Sequence, residues 1–371
     1  MLLTIEEITS EIIDKRGVTV KKLGGDFVEN GHRVISAKLI KNSKIDLNAG
    51  EERFVNKEIY KKWMSSKLMQ GDVILTSEAP LGKVAYVQED LDWCLGQRLF
   101  CLRPNTEILD GRYLFYSLKT RKVQADLESR GTGTTVLGIK QSELLKVQIP
   151  VQDIEVQNRI SALLGRLDNK IELNQKMNET LEEIAKTLFK SWFIDFDPVR
   201  AKAEGRPTGL SKEISDLFPD SFEDSELGKI PKGWRVVQLQ EYITVKRGGS
   251  PRPIHDFMSE TGLPWVKISD ATASNTRWIP FTKGYIKEEG LKKTVLLKKN
   301  ELILSNSATP GIPRFLNLDA CIHDGWLYFP EKKGFTDQYL YQLFLAIRPN
   351  LLSLGSGTVF TNLKTDILKQ Y

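Results

Sequence analysis

Four segments of this chain occur twice, in the same order and at nearly the same separation. "GDVILTSEAPLG" at residues 71–82 matches "NELILSNSATPG" at 300–311, and "DWCL" at 92–95 matches "DACI" at 319–322. "YLFYSL" from Tyr113 matches "YLYQLF" from Tyr339, and "GTGTTVLGIK" at 131–140 matches "GSGTVFTNLK" at 355–364. The offsets are 229, 227, 226 and 224 residues. Four matches in register indicate a duplicated module, and 371 residues are enough for two cores. Each copy mixes short β-rich runs (Val73 to Thr76, Leu302 to Ser305) with Gly and Pro punctuation and one short helix, near 113–128 and again near 339–347. The spacing is too irregular for βαβ units, so the class expected is α+β rather than a doubly wound sheet.

Between the copies lies a stretch of different character. After Pro150, Asp153 can cap a helix, and up to about Phe196 there is no Pro and a single Gly, Gly165. Ile160, Leu164, Leu167 and Ile171 step by four, three and four residues, as do Leu181, Ala185, Leu188 and Trp192. Asn174 and Asn178 hold the same seam between those blocks. This is a heptad pattern with a polar central layer, which fixes register at a cost in stability. About 40 residues at 1.5 Å each give a helix of roughly 60 Å. Its seam asks for a partner helix, and its aromatic end, Phe189, Trp192, Phe193 and Phe196, asks for cover from a neighbouring domain or another subunit. The surfaces expected to bind a partner are thus Leu164, Leu167, Ile171, Leu181, Leu188, Phe189, Trp192 and Phe193. Residues 197–230, rich in Pro, Gly, Ser and acids, read as a linker. The expected division is 1–150, first module; 151–196, spacer helix; 197–230, linker; and 231–371, second module.

Composition narrows the chemistry. Lys and Arg number 53 against 48 Asp and Glu, a net charge of +5 that permits nucleic-acid binding without requiring it. Cys94, Cys101 and Cys321 are too few and scattered for a disulfide framework or a CxxC zinc site, and read as small buried side chains. The N-terminus is broken by Glu6 and Glu7 and lacks the features of a signal peptide; no apolar run is long enough for a membrane span; the location expected is cytoplasmic. There is no Walker A motif, no Asn-Pro-Pro-aromatic methylation motif and no closely spaced nuclease pattern. His32, His255 and His323 are isolated, and the one suggestive pair is His323-Asp324. The first copy has Gly96 and Gln97 at those positions, which argues against duplicated catalysis. No catalytic and no metal-binding residue is therefore assigned.

Three features together resemble the specificity subunit of type I restriction-modification enzymes: the helix "IPVQDIEVQNRISALLGRLDNKIELNQKMNETLEEIAKTLFKSWFIDF" with its Phe-x-x-Trp-Phe end, "GKIPKGWRVVQLQEYITVKRGGSPR" opening the second module, and the Gly-Thr-Gly or Gly-Ser-Gly turn late in each. The resemblance covers nearly the whole chain. It implies two tandem target-recognition domains joined by a long coiled-coil-forming helix. It implies a non-catalytic reader of double-stranded DNA, each domain taking half of a split target. Methylation (M) subunits dock on it and restriction/motor (R) subunits join them, with S-adenosylmethionine, ATP and Mg bound on those other chains and none here. Members usually carry a second conserved helix after the second domain, whereas this sequence stops at "LKTDILKQY". Either it is truncated or a second copy or half-subunit supplies that helix.

A DNA reader needs cations for phosphates and groove-facing side chains for bases. "KRGVTVKK" and "GHRVISAKLIKNSK" offer Arg16, Lys21, Lys22, Arg33, Lys38 and Lys41; the second module offers Arg247, Arg252, Arg277, Lys292 and Lys293. Arginine reads guanine through two parallel bonds, so Arg33, Arg247, Arg252 and Arg277 rank first as base readers. The turns Gly131-Thr-Gly133-Thr134 and Gly355-Ser-Gly357-Thr358 either cradle a phosphate with backbone N–H groups or simply turn tightly at positive φ. Two other classes stay open on the residues alone: a scaffold dimerised by its helix, and a duplicated-domain hydrolase using His323 and Asp324.

Overall fold

The computed structural model describes residues 1–133, 135–274, 276–354 and 362–371. The chain divides into two compact units, Met1–Lys176 and Met177–Tyr371. Both are mixed α and β, and an unbroken helix, Ile154–Phe193, runs from one into the other. The second turn motif (Gly355, Gly357, Thr358) and Thr134 of the first fall outside the described residues.

The strand Val73–Thr76 explains the layout of unit 1. All four residues are buried, and successive side chains point to opposite faces. Val73 and Leu75 join a core with Phe100, Leu102, Leu114 and Leu118, beneath the helices Gly111–Leu118 and Arg121–Ser129. Ile74 faces the other way, into a second core with Cys101, Ile35, Leu95 and Trp63. A run without polar alternation is what a strand covered on both faces requires. It sits in an antiparallel sheet ordered Thr9–Asp14, Leu99–Pro104, Val73–Thr76, Val84–Tyr86. Across the second core lies a smaller sheet in which Cys94–Leu95 pairs in parallel with His32–Ile35.

Unit 2 repeats this scheme. Leu302 and Leu304 enter one core with Leu327, Phe329 and Phe344, while Ile303 enters the other with Val266, Leu316 and Trp326. The sheet runs Ile243–Arg247, Trp326–Lys332, Leu302–Ser305, Pro313–Leu316, Trp278–Ile279. Cys321, the counterpart of Cys94, again pairs in parallel, with Trp265. All three cysteines are free and buried; burial pushes the Cys321 thiol up to about 11 and the Cys94 thiol to about 12. The single helix expected near 113–128 is two helices, and its counterpart is one longer helix, Asp337–Leu354.

The long helix ends at Phe193 rather than Phe196, because Phe196 takes a left-handed backbone (φ 56°) and Pro198 opens the next helix, Asp197–Ala203. The segment read as a linker is ordered. It holds that helix, a second short one (Lys212–Ser215), and a hairpin of Phe222–Ser225 with Gly228–Pro231. Lys202 ties it together by donating to the carbonyls of Ser215 (2.8 Å) and Phe218 (2.6 Å). Polar composition alone hid this, since the order comes from contacts with the helix's aromatic end. Among the described residues, no helix is long and apolar enough to cross a membrane.

Candidate nucleic-acid interface

The duplication extends to individual hydrogen bonds at one rim of each unit. In unit 1, Thr76 Oγ1 donates to Pro80 O (2.6 Å) and accepts from Lys83 N (2.9 Å). In unit 2, Ser305 Oγ donates to Thr309 O (2.6 Å) and accepts from Ile312 N (2.9 Å). Both turns carry an alanine in the left-handed region, Ala79 at φ 54° and Ala308 at φ 58°. Ser77 N donates to Arg98 O as Asn306 N donates to Gly325 O, and Ile139 N donates to Ser77 O as Leu363 N donates to Asn306 O. Each hydroxyl thus closes a turn that projects side chains from the end of a fully buried strand.

In unit 1 this rim borders a cleft of about 270 Å³ lined by Arg16, Ser77, Gln97, Arg98, Thr132 and Lys140. Arg16 is paired with Asp14 (2.6 Å), lies over the Phe100 ring (4.2 Å) and donates to Ile139 O (3.1 Å). Arg98, itself left-handed at φ 66°, pairs with Glu78 at 2.8 Å. Gly133, in the turn singled out from sequence, has φ 121°, and a Cβ there would lie 2.2 Å from Val136 O, so a tight turn alone accounts for that glycine.

In unit 2 the rim gathers on Asp324. Ser250 Oγ donates to its carboxylate (2.6 Å), Arg252 pairs with it at 3.5 Å, and Arg247 donates to its carbonyl. The Ser250 hydrogen bond, aided by Arg247, holds the Asp324 carboxyl below its usual range. His323 accepts Gly325 N–H at Nδ1 (2.8 Å), which leaves its hydrogen on Nε2. Its Nδ1 lies 3.8 Å from Asp324, too far for the carboxylate–imidazolium hydrogen bond on which a hydrolytic dyad relies. Among the described residues, no group of three His, Cys, Asp or Glu is placed to hold a metal.

Burial lowers the His323 pKa, against the opposing pull of Asp324. The folded ring therefore resists protonation below its ordinary value near 6.5, where the unfolded chain accepts it. Stability from this group is present above about pH 6.5 and is lost as the pH falls. Unit 2 should melt at progressively lower temperature between about pH 7 and pH 5, and His323→Gln should flatten that dependence; an unchanged slope in the variant would assign the effect elsewhere.

The other candidate cations lie in varied settings. Arg16, Arg247 and Arg252 lie at the matching rims. Lys21, Lys22, Lys38, Lys41, Lys292 and Lys293 are exposed, with Lys22 donating to Gly17 O (2.8 Å) and Lys293 over the Phe257 ring (4.9 Å). Arg33 is largely covered: it pairs with Glu52 (2.6 Å) and sits over Phe54 (4.9 Å), with its side chain 14% exposed. Arg277 is engaged with the helix, pairing with Glu182 and lying over Tyr341 (5.0 Å). Charge and arginine geometry ranked these two highly; their partners come from distant segments that composition cannot reveal. Arg98, Glu78 and Gln97 stand alone in sequence, outside any basic run, so no local pattern singles them out.

The helix is clasped within each unit. In unit 1, Gln157 is fully buried, accepting from Asp110 N (3.0 Å) and donating to Ile108 O (2.9 Å). Tyr116 donates to Asp168 (2.6 Å), and Lys44 pairs with Glu172 (2.7 Å). Gly165 is where the Arg112 guanidinium crosses the helix; a Cβ there would lie 2.3 Å from it. In unit 2, Phe189 is buried against Tyr339 and Phe193 (both 5.2 Å), Trp192 packs on Phe218 (5.7 Å), and Phe193 on Trp234 (6.2 Å). The aromatic end is thus covered by this chain. Because the Lys44 pair is solvent-screened, Lys44→Ala should cost under about 0.5 kcal/mol; Arg277→Ala, which also loses the Tyr341 face, should cost about 1 kcal/mol. Urea titration of the two variants checks the ranking.

What remains open to solvent differs in phase from the heptad read from sequence. In unit 1, Leu163, Leu167 and Ile171 are more than half exposed, while Leu164 is half-buried and Ile160 packs on the core. In unit 2, Met177, Leu181, Ile184 and Leu188 are exposed, while Ala185 and Trp192 turn inward. Leu167, Ile171, Leu181 and Leu188 belong to both readings. Beside them the open face carries Leu163, Met177 and Ile184, whereas Leu164, Ala185 and Trp192 face the chain's own modules.

Comparison with known proteins agrees with these features. A family model described as the type I restriction modification DNA specificity domain matches residues 6–183 and 231–371. The type I restriction enzyme MjaIX specificity subunit of Methanocaldococcus jannaschii is 31% identical over 58% of this chain and 46% of its own length. The HindI specificity subunit of Haemophilus influenzae is 29% identical over 55% and 54%, and the putative MjaX subunit, also of M. jannaschii, 26% over 89% and 73%. The chain spans about half the length of the first two. A solved type I restriction-modification S subunit from M. genitalium shares the fold at a TM-score of 0.51 and 15% identity, across all of this chain and 83% of that one. The chain belongs to the family of type I restriction modification DNA specificity domains.

Proposed function

We propose that this chain is the non-catalytic sequence reader of a type I restriction-modification complex, each unit contacting one half of a split double-stranded DNA target. The observation that carries this is the duplicated rim: two copies of one hydrogen-bonded scaffold, flanked by Arg16 and Lys140 in one unit and Arg247 and Arg252 in the other, in a chain of the specificity-domain family. Arginine on a rigid rim is suited both to phosphates and to guanine edges. A long helix between two readers would set the number of base pairs separating the half-sites. Its exposed leucine row, Leu163 and Leu167 in unit 1 and Leu181 and Leu188 in unit 2, suits a second helix, supplied by another copy or half-subunit. Methylation and restriction subunits would supply the reaction, with S-adenosylmethionine, ATP and Mg bound there, inside the cell where the DNA is.

Binding should fall steeply with salt, on the order of a thousandfold between 50 and 200 mM if six or more phosphates are neutralised. Titration of the chain, with methylation subunits bound, against a duplex series at several salt concentrations tests this. Mapping methylated adenines in cells expressing the complex should return a split motif. Salt-insensitive or sequence-blind binding would leave the helix-mediated scaffold as the better reading.

A further inference from the structure

We propose that the two matching rims are the base-reading sites, and that the side chains by which they differ set the sequence each unit prefers. This rests on the reading of the chain as a DNA reader and goes further, because it divides the rim into residues that position and residues that specify.

Along the strands the two copies agree in residue type: Val73, Ile74, Leu75 and Thr76 stand against Leu302, Ile303, Leu304 and Ser305, and Cys94-Leu95 against Cys321-Ile322. Their rims share the same backbone bonds. The agreement stops at the side chains those bonds project. Ser77 faces Asn306 in the correspondence, Glu78 faces Ser307, Gln97 faces Asp324, and Arg98 faces Gly325. A scaffold that is kept while its projecting groups change is how one fold presents two recognition surfaces. Three of the seven described non-glycine residues in the left-handed region, Ala79, Arg98 and Ala308, lie at these rims, where the turns hold them.

Chemistry selects the readers. Arg98 and Glu78 are paired, yet 58% and 39% exposed, so water already screens the pair and either group can exchange its partner for a base edge at little cost. A guanidinium fork matches O6 and N7 of guanine, and a carboxylate accepts from the cytosine amino group; the pair is complementary to one G·C base pair. In unit 2 Ser307 and Gly325 stand in place of that pair, and the polar groups at the rim are instead the Asp324 carboxylate, the His323 Nε2–H and the Asn306 amide, whose Oδ1 is buried and has no hydrogen-bond partner among the described residues. That unit should prefer a different sequence. What the rims hold in common is a lysine directly after the matched Ile139 and Leu363: Lys140 and Lys364 are both exposed, and fit phosphates, which are the same in every sequence.

The test is selection from a random-sequence duplex library by the full chain bound to methylation subunits, followed by sequencing of the retained DNA. The parent protein should enrich a split motif. Arg98→Ala should lose preference on the order of tenfold at one or two adjacent base pairs of one half, with the other half untouched, and the isosteric Glu78→Gln should change the same positions. Lys140→Ala should weaken binding to all duplexes alike, reduce the salt slope by about one phosphate and leave the motif as it was. If Arg98→Ala and Glu78→Gln, each melting like the parent, enrich the parent motif unchanged, the rims do not read bases. Should Arg98→Ala fail to fold, Glu78→Gln decides. A parent protein that enriches no motif would overturn the reader assignment itself, a result separate from a motif indifferent to the rims.

Discussion

Asp72→Ala is expected to destabilise unit 1 by about 3–5 kcal/mol, the range for removing one partner of a buried ion pair. Asp72 is 1% exposed and receives both Nε (2.9 Å) and Nη2 (2.8 Å) of Arg103, together with the backbone N–H of Met69 (2.8 Å). Arg103 also donates to Glu11, to Ser66 Oγ (2.8 Å) and to Lys67 O (2.6 Å). Removing the aspartate leaves a covered guanidinium with two of its five hydrogen bonds gone. Removing both charges at once, as Asp72→Leu with Arg103→Met, should recover more than half of the loss, since hydrophobic replacement of a buried pair is often close to neutral. Urea titration of the single and double variants measures this. A single-variant loss below about 1 kcal/mol would mean the network is screened like a surface pair.

Phe189→Ala should cost about 3 kcal/mol in unit 2, the usual scale for truncating a buried Phe. Its ring is 7% exposed and contacts both Tyr339 and Phe193. The loss should be local. Amide exchange ought to rise over the last turns of the helix, near 185–193, while the turns around Gln157 and Ser161, held by Asp110, stay protected. Uniform loosening along the helix would show that it behaves as one cooperative piece rather than as two clasped halves.

Much of this fold is legible in the sequence. Repeated strands, buried on both faces, must be continuous apolar runs, so "VILT" and "LILS" advertised both the duplication and the α+β class. Helix periodicity located the 40-residue helix to within three residues at each end, since an unbroken heptad with neither Pro nor a C-terminal Gly has few alternatives. The order in residues 197–230 could not be seen in the same way. It depends on Phe196, Phe218, Phe222 and Trp234, scattered singly among polar residues, reaching the aromatic end of the helix.

Which cations are spoken for was likewise invisible. Arg33 with Glu52 and Arg277 with Glu182 are pairs 19 and 95 residues apart, and the unremarkable Arg98 gained its place because the chain brings Glu78 beside it. The phase of the exposed leucine row followed the same logic. Heptads permit neighbouring faces on one helix, and only packing against the modules covered Leu164, Ala185 and Trp192 and left Leu163, Met177 and Ile184 to solvent. Local pattern, a property of each segment, was enough to specify the modules and the helix. Which charges are neutralised and which face stays open are relations between distant segments, and these the tertiary structure alone decided.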